Sequence, residues 1–230
     1  EVIIDNNITY VGCYAFYNCD NLTQVTIGDR VERIGHDAFA SCDNLQEVTI
    51  PVSVNNIESS VFDYCTNLSK VYYGGTESDW WNISFSSRGS NPVHHGGDLY
   101  IKGEAVKSMT VPSAITSLGY QLSGMSFESV TLHNDITDII NDAFRDCDAL
   151  QSVTIPDKVA EIKSGTFYGC DALERVILGN RVTSVGNEAF CNCTNLKNVY
   201  FPESLTVIKE RAFYCCTSLE ETIFGSNLSS

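Results

Sequence analysis

The sequence predicts an α/β repeat solenoid, a stack of about nine short coils carrying a parallel β-sheet on one face. Three observations carry that prediction. Seven cysteines, Cys19, Cys42, Cys65, Cys147, Cys170, Cys193 and Cys216, follow one another at one constant interval within two blocks. Three positions before each is a phenylalanine, from Phe16 and Phe39 to Phe190 and Phe213, and three positions after each is a leucine, from Leu22 to Leu219. A β-branched segment of the type Val48-Thr49-Ile50 recurs with the same period. A unit this short cannot bury its own apolar face, so copies must stack to make a core.

Within the second copy, the strand reads Val48-Thr49-Ile50, with Val25-Thr26-Ile27 and Val153-Thr154-Ile155 as its counterparts. Alternating apolar and polar β-branched residues describe a half-buried strand, and one such strand per coil makes a parallel sheet. Between Phe39, Cys42 and Leu45 the apolar spacing is three, which suits a tight helical turn with Asp37, Asp142 and Asn187 placed to cap its copies. Pairs such as Asp20-Asn21 and Asp43-Asn44 turn the chain back. Pro51, Pro112, Pro156 and Pro202 follow strands, where a missing amide hydrogen marks an exit from pairing.

The period breaks once. The separation of Phe62 from Phe144 is not a whole number of periods, and the strand positions Val25, Val48, Val71, Met109, Val130, Val153, Val176, Val199 and Thr222 place the excess between the third and fourth. The reading is therefore one solenoid domain over residues 1–230, interrupted by an inserted loop at about 74–98. That segment holds both tryptophans. Either Trp80 and Trp81 cover the sheet edge across a weak joint, or Tyr72, Tyr73, Trp80 and Trp81 form an aromatic contact patch, since such rings anchor interfaces at little entropic cost.

Fourteen basic and 29 acidic side chains leave a net charge of -15, so the surface repels phosphate backbones and anionic headgroups, and no nucleic-acid partner is expected. No run of 18 apolar residues is present to insert into a bilayer. The periodic cysteines point the same way from neighbouring coils, which suits buried free thiols better than bridges. Cys13, Cys191 and Cys215 lie off the period, and a bridge or metal site at the last two stays open. No nucleophile–base pair, phosphate loop or paired-cysteine zinc spacing stands apart from the repeat, so the chain reads as non-enzymatic, without cofactor or metal. His94 and His95 with Asp98 have ligand chemistry, but read as part of an exposed Gly-rich loop. The opening residues lie almost inside a coil, so the chain reads as a processed form or a piece of something longer.

The string Ile-Gly-x-x-Ala-Phe-x-x-Cys-x-x-Leu-x-x-Val-x-Ile-Pro resembles the BspA-type leucine-rich repeats of bacterial surface proteins, with Val61 and Thr166 in place of alanine and Val11 and Val185 in place of isoleucine. Leu118-Gly119-Tyr120-Gln121-Leu122 departs from that pattern. The resemblance implies a curved, right-handed, leucine-rich-repeat-like stack, an extracellular or cell-surface location, and adhesion to host or partner proteins.

Residues that alternate with the inward ones form two outward columns on the sheet, through Gln24, Glu47, Lys70 and Arg175, and through Thr26, Thr49, Tyr72, Ile177, Tyr200 and Ile223. Threonine is a plain sheet former. Tyr72, Arg175, Ile177, Tyr200 and Ile223 break the columns toward the aromatic, basic and apolar groups that interfaces favour, and with Tyr73, Trp80 and Trp81 they are the candidate ligand-binding residues. The expected function is a protein-binding or adhesion module, with a passive structural spacer as the alternative. Without a clear capping repeat, edge-to-edge self-association also stays open.

Overall fold

The computed structural model describes residues 1–224, and its contacts gather the chain into two compact units. The first comprises residues 1–106 with 123–125, and the second 107–122 with the residues from 126 onwards. Both are right-handed, mostly parallel β-solenoids.

In the first unit, Val2–Ile3, Gln24–Thr26, Glu47–Ile50, Lys70–Tyr73 and Asp98–Ile101 pair in parallel in that order, so that Val2, Val25, Val48, Val71 and Leu99 form one column. An antiparallel strand, Glu104–Ala105, closes this sheet through a tight hairpin. Lys102 and Gly103 have φ of 53° and 82°, as the turn of that hairpin requires. In the second unit, Ser108–Thr110, Ser129–Thr131, Ser152–Thr154, Arg175–Ile177, Asn198–Phe201 and Glu221–Phe224 pair in parallel. Each unit also carries very short strands in second ladders, Tyr10–Val11, Arg33–Ile34, Asn56–Ile57 and Ser84–Phe85 in the first, and Glu161–Ile162, Ser184–Val185 and Val207–Ile208 among those of the second.

In the two large sheets, two parallel strands lie outside the nine positions read from the sequence, Val2–Ile3 and Asp98–Ile101. The second of these corrects the reading of the irregular segment. Residues 74–98 are not a loop thrown out between rungs but the body of a longer coil, which runs from Val71 to its partner Leu99 and still supplies Ser84–Phe85 to the second ladder.

Opposite the sheet, the expected helical turn is replaced by a backbone with two alternating destinations. In one coil the amides of Asp37, Phe39 and Ser41 donate to the Ser59, Val61 and Asp63 carbonyls of the next coil at 3.1, 3.1 and 2.8 Å. The amides of Ala38, Ala40 and Cys42 instead close local turns on Gly35, Asp37 and Phe39 at 3.2, 3.2 and 3.3 Å. Buried amides are thus paired on this side as fully as in a sheet. In the regular coils the geometry places two left-handed residues, four apart, at Asp37 and Ser41, Asp142 and Asp146, or Glu188 and Asn192. Asp37 and Asp142 are therefore turn residues with φ of 54° and 58°, not helix caps. Gly165 and Gly169 occupy the same two positions, where glycine carries no left-handed penalty.

The core is built of aligned columns. Phe16, Phe39 and Phe62 stack with centroids 5.2 and 5.8 Å apart, and Phe144, Phe167, Phe190 and Phe213 at 4.9, 5.2 and 5.1 Å, all within 16° of parallel. All ten cysteines are free thiols. The periodic ones do more than fill space, because five of the seven thiols donate to the carbonyl of the preceding coil's phenylalanine: Cys42 to Phe16, Cys65 to Phe39, Cys170 to Phe144, Cys193 to Phe167 and Cys216 to Phe190, at 3.0–3.1 Å. Cysteine alone among small side chains combines an apolar body with a weak donor. In the short coil that departs from the repeat pattern, buried Leu122 takes the place of the phenylalanine and its carbonyl accepts from Cys147 at 3.1 Å.

Candidate functional site

The outward columns predicted from alternation exist, with members added by two further rungs: Ile3 beside Thr26, and Asp98 and Tyr100 beside Lys70 and Tyr72. In the first unit, Gln24, Glu47, Lys70 and Asp98 are successive partners, as are Thr26, Thr49, Tyr72 and Tyr100. Lys70 pairs with Glu47 at 3.0 Å, and this contact raises the Lys70 pKa. Beside it the Tyr72 and Tyr100 rings lie 5.1 Å apart, tilted by 33°, and both remain partly exposed. Neither Tyr100 nor Asp98 is expected in the columns from the sequence, because the strand positions read there pass from Val71 directly to Met109. Their signal was the alternation Leu99-Tyr100-Ile101 closed by Lys102-Gly103.

In the second unit, Arg175 is followed by Asn198 and Glu221 in one column, and Ile177 by Tyr200 and Ile223 in the other. Arg175 is exposed, and Ile177 and Tyr200 are partly so. The side chain of Ile223 lies outside the described residues.

Three of the aromatic candidates are corrected by burial. Tyr73, Trp80 and Trp81 are 4 %, 0 % and 3 % exposed, which removes them from a contact patch. A one-turn helix, Glu77–Trp80, opens on Thr76, whose hydroxyl accepts from the Asp79 amide while the Asp79 carboxylate accepts from the Thr76 amide. Hydrogen bonds donated to the Asp79 carboxylate by the Thr76 hydroxyl at 2.6 Å and the Thr76 amide at 2.8 Å hold that carboxyl below its ordinary range. This reciprocal cap fixes the turn so that Trp80 points inward. There it meets Tyr73 edge-on at 5.4 Å and Phe85 at 5.4 Å. Burial pushes the Tyr73 hydroxyl up to about 12.

The same long coil shapes a concavity of about 380 Å³ at Ser60, Asp63, Tyr64, Arg88, His94 and His95. His94 is 3 % exposed, so the Gly-rich stretch around it is packed rather than a free loop. Burial, assisted by His95, lowers its pKa to about 4 and leaves the ring neutral. Its Nδ1 lies 2.7 Å from the Asn91 carbonyl, to which it donates, and Nε2 lies 3.7 Å from Asp63 Oδ1, too far for a hydrogen bond. The Asn91 amide in turn donates to the Ser123 carbonyl at 3.2 Å, tying residues 123–125 into this unit. His94, His95 and Asp98 do not converge. Among the described residues, the one group that brings three donor atoms together is Cys13, His36 and Glu58.

A family model for the BspA type leucine-rich repeat region, in six copies, matches residues 1–89 and 119–230. The chain belongs to that family. The unmatched stretch, 90–118, contains the end of the long coil, the closing hairpin and the first rung of the second unit. No curated protein matches this BspA-type chain. Among solved structures it is similar to a leucine-rich cell surface protein from Faecalibacterium prausnitzii, at 21 % identity over 99 % of this chain and 79 % of that one, with a TM-score of 0.58. It is also similar to a leucine-rich repeat protein from Bacteroides ovatus, at 20 % identity over 95 % and 73 %, with a TM-score of 0.54. A third likeness is to the pneumococcal vaccine antigen PcpA, at 16 % identity over 96 % and 67 %, with a TM-score of 0.53. At these identities the likeness shows the fold. Membership of the BspA-type family supports a non-catalytic, protein-interacting leucine-rich-repeat module. Among the described residues, no helix is long and apolar enough to cross a membrane.

Proposed function

We propose that this BspA-type chain is a non-catalytic protein-binding or adhesion module of a secreted or cell-surface protein, which presents its parallel sheet face to a protein partner. The observation that supports it best is where the outward columns depart from serine and threonine. Of these departures, Lys70, Tyr72, Asp98 and Tyr100 in the first unit, and Arg175, Ile177 and Tyr200 in the second, bring rings, an apolar group and charge onto the face. Partly exposed tyrosines beside charged groups give apolar area at low entropic cost together with directional polar contacts. The acidic chain suits a partner with a basic or uncharged face better than a nucleic acid.

The passive spacer is the second reading, favoured by the plain Ser and Thr that fill the columns at Ser108, Thr110, Ser129 and Thr131. Immobilised chain is expected to capture extracellular proteins, and the Tyr72→Ala/Arg175→Ala/Tyr200→Ala variant to capture them at least tenfold less while melting at the same temperature, since hot-spot truncations cost about 2 kcal/mol or more each. Capture unchanged by the three substitutions would favour the spacer.

A further inference from the structure

We propose that Cys13, His36 and Glu58 form a binding site for a thiophilic divalent cation of the zinc class, with one coordination position left open. Each comes from a different coil, directly after a strand of the second ladder. Glu58 stands where the two preceding coils have Gly12 and Gly35, and Cys13 and His36 occupy the next position. The corresponding pairs in the second unit are Gly119-Tyr120, Ile140-Asn141, Lys163-Ser164, Gly186-Asn187 and Lys209-Glu210, so the donor set is a local departure from the repeat.

The geometry fits the ion. One donor atom from each side chain lies within 4.8 Å of the others. Cys13 Sγ is 3.9 Å from Glu58 Oε2, and His36 Nδ1 is 3.7 Å from the same oxygen. A tetrahedral zinc ion, with Zn–S ~2.3 Å and Zn–N and Zn–O ~2.0 Å, sets S···O at ~3.5 Å and N···O at ~3.3 Å. On those two edges the ion requires a contraction of about 0.4 Å, and the thiol and imidazole, within 4.8 Å of each other, close the third edge by side-chain rotation.

The surroundings hold the donors in place. Glu58 Oε2 accepts from the His36 amide at 3.0 Å, while Oε1 faces the Arg33 guanidinium at 3.6 Å, so the carboxylate is oriented and Oε2 keeps a second lone pair for the ion. Arg33 is itself laid over the Tyr10 ring at 4.4 Å. The Tyr10 hydroxyl lies 3.2 Å from Cys13 Sγ, and the Tyr14 ring packs edge-on against His36 at 4.8 Å. Gly35 makes room, because a side-chain carbon there would come within 2.6 Å of the Tyr10 hydroxyl and 3.0 Å of the Cys13 sulfur. A thiolate, an imidazole and a carboxylate select zinc or cobalt over magnesium and calcium. Binding releases the Cys13 thiol proton, and the thiolate and carboxylate charges together neutralise the ion. Three protein ligands leave a fourth position for water or for a donor on a bound molecule.

Cobalt(II) titration of the untagged, fully reduced chain tests this. The expected result is a thiolate-to-cobalt charge-transfer band with tetrahedral d–d bands, saturating at one equivalent and displaced by zinc. Cys13→Ser is expected to abolish the charge-transfer band, His36→Gln and Glu58→Gln to weaken binding by about tenfold or more, and Cys215→Ser, an exposed thiol elsewhere, to change nothing. Zinc is expected to raise the melting temperature of the unaltered chain but not that of Cys13→Ser. The site is overturned if the unaltered chain gives no such band, if the band survives Cys13→Ser, or if both His36→Gln and Glu58→Gln bind as tightly as the unaltered chain.

Discussion

Replacing Phe167 by alanine is expected to destabilise the second unit by about 3–5 kcal/mol, read as a lower midpoint in urea with little change in slope. Phe167 is fully buried, and its ring lies between Phe144 at 4.9 Å and Phe190 at 5.2 Å. Its amide donates to the Ala189 carbonyl at 2.7 Å, and its own carbonyl receives the Cys193 thiol at 3.0 Å. Those backbone bonds fix the distance between coils, so the neighbours cannot collapse into the space that truncation leaves. The cavity term is then felt in full, together with the loss of two stacked ring contacts. Phe16, only partly buried and stacked on one side, should lose distinctly less when truncated.

Trp80→Ala is expected to destabilise the first unit by a similar ~3–5 kcal/mol, while Tyr72→Ala, close by in sequence, leaves its stability nearly unchanged. The contrast follows from burial, since Trp80 is fully enclosed between Tyr73 and Phe85 whereas the Tyr72 ring lies on the outer face. An insertion folded outside the stack would show no such contrast, with both substitutions tolerated. Urea unfolding of the two variants, followed by far-UV circular dichroism, separates these outcomes.

What was legible in the sequence was whatever the repeat period encodes. Phe, Cys and Leu recur because each coil repeats one packing problem, and their columns could be read directly. The outward pair Arg175 and Ile177 was legible for the same reason, as alternation within a strand fixes which face a residue takes. The rung at Asp98–Ile101 was not, because the coil before it is longer than the rest, which shifts the rung off the period, and its glycine-rich approach resembles a loop. Trp80 illustrates the same difficulty. Its composition suited either a core or a contact surface, and only the capped turn at Thr76 decides that it faces inward. The left-handed pairs were hidden too, since Asp37, Ser60, Glu188 and Arg211 occupy one equivalent position and share no side-chain chemistry. There the backbone conformation is imposed by bonds to the neighbouring coil rather than by local preference. The second ladder was hidden because its strands are so short. That ladder brings Cys13, His36 and Glu58 together from three successive coils.

The central claim is that columns of like side chains line the inside of each unit. Site-resolved thiol labelling at about pH 8, near the pKa of a free thiol, tests it most directly. Cys13 and Cys215 are exposed, whereas Cys42, Cys65, Cys147, Cys170, Cys191 and Cys193 are buried. Burial also pushes the Cys42 and Cys65 thiols up to about 11 and about 12, which suppresses the reactive thiolate. In the reduced native chain, Cys13 and Cys215 should label within the first pulse, and the six buried thiols only after denaturant is added. Labelling of Cys65 or Cys170 as fast as Cys13 in the native state would contradict the stacked-column fold.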